Sequence, residues 1–418
     1  MTSENDIAHV EPGSRSRPAP PPGPRGLARL RSAAERAYWD AQEYLESAAT
    51  RTSTALVISG LEKHSGAPLR SLYFGSGNHL AYLLGLVYRE HRIDKEHAGL
   101  RTWNVRRWAD GNDRDADLVL ADLPWPYHRL LKGRGFVEVP AWVNQRIPLA
   151  AEWQDVLARL RRSARGEDMR SIRKHGLEYR LVREEEAVRR FYEEMYVPHL
   201  TRRFGDAAYI EPEWKIRYCV ENGTLMEILR DGQVVAAQVL WANRGSMHFL
   251  WSGTVGEEFG AQSRGVFPAL YYFGLQHAFE CGYGEVDYCG SRPVLTDGIV
   301  QVKRRWGGQV FDGWSRDTLF IQPRNFGQAN VEFLRNNPLI ARCRDELVGK
   351  VFFGAEPVGS EQVARAGQVY ATPGISAIKL YSLQPPQDEA RAALRSAPGV
   401  ELVDLSAEPR PEAAYCSC

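Results

Sequence analysis

Along residues 225–253 apolar and polar positions alternate with a period of two, the spacing of strands that bury one face. Leu225 to Arg230, the pair Asp231-Gly232 and Gln233 to Trp241 predict a hairpin, because Asp-Gly accepts the positive φ angles of a primed turn. Asn243 to Gly245 turns the chain again, into a third strand where Met247, Phe249 and Trp251 alternate with His248, Leu250 and Ser252. The period then lengthens to that of a helix over 266–281. Phe267, Leu270, Tyr271, Gly274 and Ala278 share one face, and Gly282 ends it. Glu285 to Cys289 reads as a strand that breaks at Gly290-Ser291-Arg292-Pro293. Asp297 then caps a short helix carrying Ile299 and Val302 on one side and Lys303-Arg304-Arg305 at its end, where cations suit the helix dipole. Gly307 stops that helix, and a strand follows from Gln309. Strand, polar loop, helix and strand gather polar groups at a strand's C-terminal mouth, a common place for α/β sites.

The same logic extends outward. Upstream, a helix is predicted from Ala33 to Ala48, strands at Ala55–Ile58, Leu72–Gly75 and Asp117–Asp122, a buried helix at His79–Glu90, a short helix at Pro126–Lys132 and an extended run at Phe136–Leu149. Strand, short helix, glycine and long strand is the order met again from Glu285, as a duplicated domain would give. The segment from Glu152 to Arg180 puts Val156, Leu157 and Leu160 on one helical face and Arg161, Arg162, Arg165, Arg170, Arg173 and Lys174 elsewhere. That is either a phosphate-binding surface or a solvated face. A longer helix follows over Glu184–Arg203. Downstream, a helix is predicted at Gln328–Arg335, then strand, helix and strand at Ser376–Leu383, Gln387–Arg395 and Val400–Leu405. The expected division is a disordered Pro-rich tail over 1–26, domains over 27–150 and 151–348, and a small extension over 349–418.

Composition narrows the class. A net charge of +1 with 25% charged residues gives no basic coat for DNA and no acidic tail. No apolar run approaches the roughly eighteen residues of a membrane span, and the sequence predicts a cytoplasmic enzyme. The six cysteines form no CxxC pair and have no histidine at zinc spacing, so no metal is expected. The Cys416-Ser417-Cys418 tail reads as frayed, the alternative being a soft-metal site or an oxidisable pair. A Gly-containing loop, Gln262-Ser263-Arg264-Gly265, feeds the 266–281 helix, whose free N–H groups suit an anion.

Meander, Gly loop, helix, strand, polar loop, short helix and strand resembles the GNAT acyltransferase fold, and in detail its FemAB-like branch with two tandem GNAT-type domains. The residues that carry the resemblance are Arg165 to Gly176 (RGEDMRSIRKHG), similar to the branch's Arg-rich entry, the meander itself, and Asp297 to Gly308 (DGIVQVKRRWGG), similar to its short helix with a basic-aromatic-Gly ending. The likeness covers about Trp153–Gln322 well and Thr54–Ala150 loosely. It implies an α/β fold of two tandem GNAT-like domains, with the C-terminal strand-helix-strand unit as an addition.

The resemblance implies acyl transfer to an amine of a small molecule or peptide. The donor lies between splayed fourth and fifth strands and is an acyl-CoA; the alternative is an aminoacyl-tRNA, with the basic segment as its phosphate surface. A degenerate, non-catalytic binding protein is the rival from another class. His248 is the first candidate for the base that takes the amine's proton, and Asp287 is base or ammonium anchor. Tyr288 would return a proton to the leaving group, and Lys303 would stabilise an oxyanion or phosphate. Gln262, Ser263, Arg264 and Gly265 would bind the donor, and Ser291, Arg292 and Asp297 would line the acceptor's side. For each there is a plainer reading: a packed polar strand residue for His248, a loop hydrogen bond for Asp287, core for Tyr288, a solvated charge for Lys303. Cys289 invites a covalent acyl-enzyme, but no histidine stands near it in the sequence, which argues against that. The donor loop departs from the family pattern, since Val266-Phe267 replaces its second small residue.

Overall fold

The computed structural model describes residues 52–111, 115–205, 208–243, 245–256, 265–313 and 317–418. The Pro-rich stretch to residue 26, the helix expected near residues 33–48, and Gln262, Ser263 and Arg264 lie outside them. Strands β1 (Thr52–Glu62), β2 (Pro68–Gly75), β3 (Tyr88–Arg101), β4 (Leu118–Leu123) and β5 (Val137–Pro140) come first. Then follow β6 (Val143–Pro148), β7 (Glu178–Val182), β8 (Gly223–Arg230), β9 (Gln233–Asn243), β10 (Ser246–Thr254), β11 (Glu285–Ser291) and β12 (Gln309–Phe311). The last are β13 (Thr318–Pro323), β14 (Leu339–Cys343), β15 (Glu346–Phe352), β16 (Ala377–Ser382) and β17 (Val400–Asp404). They build two mixed sheets flanked by helices, an α/β fold. One has ten strands in the order β17-β16-β15-β14-β5-β13-β4-β2-β1-β3, the other seven in the order β12-β6-β11-β10-β9-β8-β7. No helix among the described residues is long and apolar enough to cross a membrane.

The contacts divide the chain into two units. An inserted unit holds the described residues of 145–289 and 302–309; a flanking unit holds those of 52–144, 290–301 and 310–418. This differs from the division read along the sequence. Strand β13 pairs antiparallel with both β4 and β5, and β15, β16 and β17 continue the same sheet in parallel. Residues 349–418 are therefore part of the sheet that begins at Thr52. Pairing between such distant segments leaves no local trace. The predicted helix from His79 ends at Val87, and Tyr88 starts β3, which the sequence reading missed. As an edge strand it is exposed along nearly its whole length, so it shows no apolar alternation to read.

In the inserted unit the meander is as expected. Asp231 and Gly232 both take positive φ, 51° and 75°, which makes the β8–β9 turn a primed one. Alternate residues then bury on opposite faces. Met226, Ile228, Leu240, Met247, Phe249, Val286 and Tyr288 pack under α1 (Val266–Glu280), while Leu225, Ala237 and Val239 pack with the 185–221 helices. Gly274 lets α1 approach β10: a Cβ there would stand 2.5 Å from the Phe249 ring. Both faces are covered, so a polar side chain on β10 or β11 is held in a confined setting.

Two buried side chains of the flanking unit, Asp122 and Lys350, are each held by three hydrogen bonds. Asp122 on β4 accepts from Tyr73 Oη (2.8 Å), Ser76 N–H (2.6 Å) and His79 N–H (2.9 Å). Lys350 on β15, 1% exposed, donates to Tyr381 Oη (2.9 Å) and to the carbonyls of Tyr415 (2.6 Å) and Ser417 (2.8 Å). Those bonds dock a helix, Pro411–Cys416, in which Tyr415 and Cys416 are buried. The tail expected to fray is thus anchored.

Candidate active site

β10 and β11 run parallel, yet they pair over three positions only: Ser246 with Glu285, Met247 with Val286, and His248 with Asp287. β10 continues antiparallel to β9 as far as Thr254, with an irregularity between Phe249 and Ser252. No further pairing joins it to β11 among the described residues, so the two strands fork at His248 and Asp287. At the paired end Ser246 Oγ donates to Glu285 (2.8 Å). At the fork His248 Nδ1 stands 3.8 Å from Asp287 Oδ2, both side chains nearly buried. The His248 ring lies 5.4 Å from that of Trp241 on β9. Burial holds the His248 imidazole below the ordinary histidine range, against the weaker upward pull of Asp287 and Glu285. A neutral imidazole at neutral pH is the form that accepts a proton.

Asp287 Oδ1 also accepts the N–H of Cys289 at 2.7 Å. Cys289 has φ 61°, the left-handed region that side-chain-bearing residues rarely occupy. Its carbonyl accepts from Lys303 Nζ at 3.0 Å. Lys303 is 5% exposed, so it is a buried cation and not a solvated charge at a helix end. The turn is thereby held from both sides by charged groups. A ring nitrogen of His248, a carboxylate oxygen of Asp287 and Cys289 Sγ lie within 4.8 Å of one another. These atoms are also of the kinds that hold a metal ion, and the Lys303 ammonium sets a positive charge beside them.

The predicted residues separate clearly. His248, Asp287 and Lys303 come together through Cys289. Tyr288 does not join them: a strand's alternation sends it to the opposite face, where its hydroxyl donates to the Trp306 carbonyl at 2.7 Å among Phe249, Tyr271 and Trp306. Ser291, Arg292 and Asp297 belong to the flanking unit. Ser291 is buried at the end of β11. Arg292 is wedged between the rings of Tyr82 (4.0 Å) and Trp142 (3.8 Å), with Nη1 at His79 Nδ1 (3.3 Å), and burial pushes its pKa down. Such a guanidinium is a packing element of that unit. Asp297 caps the Gly298–Arg305 helix, accepting the N–H groups of Ile299 (2.9 Å) and Val300 (3.1 Å). Of the donor loop, Gly265 is buried with φ 92° at the start of α1, and a Cβ there would meet Ser171 Oγ at 2.9 Å.

The sequence reading passed over Cys289 because no histidine was near it along the chain. The parallel register of β10 on β11 supplies one from the neighbouring strand. Tyr271 was read only as part of one face of the 266–281 helix. It is partly exposed, stacks on Trp306 at 5.8 Å, and burial raises its hydroxyl pKa. The basic segment keeps Arg161, Arg162, Arg165, Arg170, Arg173 and Lys174 exposed.

No family model matches the chain, and no curated protein does. Among solved structures it is similar to FemX, at 12% identity over 62% of this chain and 82% of that one, with a TM-score of 0.36. It is similar to L-PGS from Bacillus licheniformis at 10% identity, over 66% and 86%, with a TM-score of 0.32. A GCN5-related N-acetyltransferase from Sphaerobacter thermophilus gives 14%, 60% and 72%, and 0.31. At these scores the likeness is slight.

Proposed function

We propose that the inserted unit is an N-acyltransferase that moves an acyl group from an acyl-CoA thioester to the amine of a small molecule or peptide. The observation that carries this reading is the fork of β10 and β11 with His248 and Asp287 at its root. An amine acceptor reaches the site mostly as ammonium and must lose a proton before it attacks. On this reading His248, its pKa lowered by burial, takes that proton, and Asp287 holds the ammonium or steadies the imidazolium. Beyond the last pair, β10 presents main-chain groups that β11 does not engage, and donors of that kind polarise an acyl carbonyl. Lys303, buried on the Cys289 carbonyl, adds positive charge where an oxyanion would develop. The N-terminus of α1 at Gly265, with Gln262, Ser263 and Arg264 before it, suits the donor's phosphates.

The test is turnover of acetyl-CoA and longer acyl-CoAs against a panel of amino acids, polyamines and dipeptides, read as released thiol and as amide mass. His248→Ala should lower kcat/KM by about 10² to 10⁴-fold, the usual worth of a positioned base. Absence of thioester binding and of amide with every acyl-CoA would overturn the reading.

A second reading, amide-bond formation from aminoacyl-tRNA, is favoured by the exposed arginines and lysine of 161–174. It predicts binding of charged tRNA that falls steeply with salt, whereas acyl-CoA binding should depend on it only mildly.

A further inference from the structure

We propose that Cys289 is the nucleophile that first receives the acyl group, so that transfer runs through a Cys289 thioester and not by direct attack of the amine on the donor. This rests on the acyl-transfer reading of the same fork. The geometry that points to it is a thiol, an imidazole and a carboxylate within 4.8 Å of one another, contributed by two strands. A nucleophile beside a base, with a carboxylate 3.8 Å from the base, is the kind of grouping acyl-enzyme chemistry uses.

Three further observations agree. First, the left-handed turn falls on Cys289, although Gly290 beside it in the sequence would adopt that conformation at no steric cost. Asp287 on the Cys289 N–H and Lys303 on its carbonyl keep the turn in place, and the side chain is thereby fixed relative to His248. Second, Cys289 is partly exposed while His248, Asp287 and Lys303 are buried. Third, burial and the neighbouring Asp287 push the thiol pKa up, while burial pushes the His248 pKa down. The resting pair is therefore a neutral thiol and a neutral imidazole, and the proton must leave sulfur as sulfur attacks, which is general-base catalysis.

The first step forms the Sγ–acyl bond and breaks the donor's carbon–sulfur bond. The thiol proton passes to His248 and from there to the departing thiolate, leaving a Cys289 thioester and a free thiol. In the second step the amine nitrogen bonds to the acyl carbon and the carbon–Sγ bond breaks. The proton lost from nitrogen returns through His248 to Sγ, so the enzyme is regenerated with no oxidant or reductant consumed.

The experiment incubates the full chain with acetyl-CoA without amine, and in parallel with S-acetyl-N-acetylcysteamine, a small thioester that needs no phosphate-binding loop. The protein is quenched in acid and weighed intact, then mapped by peptide mass. One acetyl group on Cys289, removable by neutral hydroxylamine and missing in His248→Ala, is the expected result. Cys289→Ser, checked for an unchanged melt, should lose the adduct and at least about a hundredfold in kcat/KM, and wild-type double-reciprocal plots should be parallel. Cys289→Ala covers the case in which serine disturbs the fold. Amide formed at the wild-type rate by either variant, with donor binding intact, would overturn the thioester and leave the acyl-transfer reading standing. Failure of the wild type to bind or consume either thioester would bring down both.

Discussion

Two pairs of buried titratable side chains in this protein, Asp122 with Lys350 and His248 with Asp287, are held in opposite ways. In the flanking unit Asp122 accepts three hydrogen bonds of 2.6–2.9 Å and Lys350 donates three of 2.6–2.9 Å. In the inserted unit His248 and Asp287 stand 3.8 Å apart, longer than a hydrogen bond, and the turn beside them sits in a strained conformation. A buried charge whose bonds are all made fixes the structure around it. A buried pair 3.8 Å apart is not closed on itself by a direct hydrogen bond.

The largest effect that tests this contrast comes from removing one carboxylate in each region. Asp122→Ala strands the Tyr73 hydroxyl and two main-chain N–H groups in the core and should cost about 3–5 kcal/mol, read as a large fall in Tm. Asp287→Asn keeps an oxygen for the Cys289 N–H, so its melt should stay within about 1 kcal/mol of wild type while turnover falls about a hundredfold or more. Equal melting losses in the two variants would break the comparison.

Lys350 offers a finer test. Burial pulls its pKa from 10.5 down to about 8 in the fold. Between those values the unfolded chain holds a proton that the folded chain has released, so this group's contribution to stability rises with pH across the window. The full penalty is present below the lower value. The swing is on the order of 3 kcal/mol. Urea unfolding of wild type and Lys350→Met at about pH 7.5 and about pH 9.5 should show that slope in wild type and its loss in the variant.

The smallest expected effect is spectroscopic. The His248 imidazole, followed by NMR, should titrate below the ordinary 6.5 and lower still in Asp287→Asn, because that carboxylate pulls it up. With a folded pKa below the unfolded one, the stability tied to neutral His248 is lost as pH falls beneath 6.5. A midpoint above 6.5 would mean that the carboxylate outweighs burial, and the resting base would then be protonated.

How far the sequence reveals this molecule depends on how local each feature is. The meander was legible because its alternation and its Asp231-Gly232 turn are contained in one stretch, and α1 because glycines bracket an apolar face. The strand faces of β10 and β11 were legible too, which is why His248 and Asp287 were both named. The same alternation sends Tyr288 to the opposite face, information that was present and underused. The parallel register that joins the two strands is not written locally, and without it Cys289 has no visible base. The ten-stranded sheet was illegible for the same reason, since β13 enters between two strands made long before it. Lys350 reads as a polar interruption in an apolar strand until the carbonyls it binds are brought to it by the fold.

The position of β13 has a consequence for the order in which the protein is made. Among the described residues β5 pairs with β13 and β14 alone, and β4 meets β13 along its second edge, so neither can be completed until Thr318 has left the ribosome. At about 5–20 residues per second, the intervening chain keeps those edges waiting for roughly ten to forty seconds. The inserted unit, by contrast, is fully synthesised once Gln309 has emerged. Translation thus completes the inserted unit first and leaves the apolar edges of the other open, so a nascent chain arrested before Thr318 is a form with need of a chaperone.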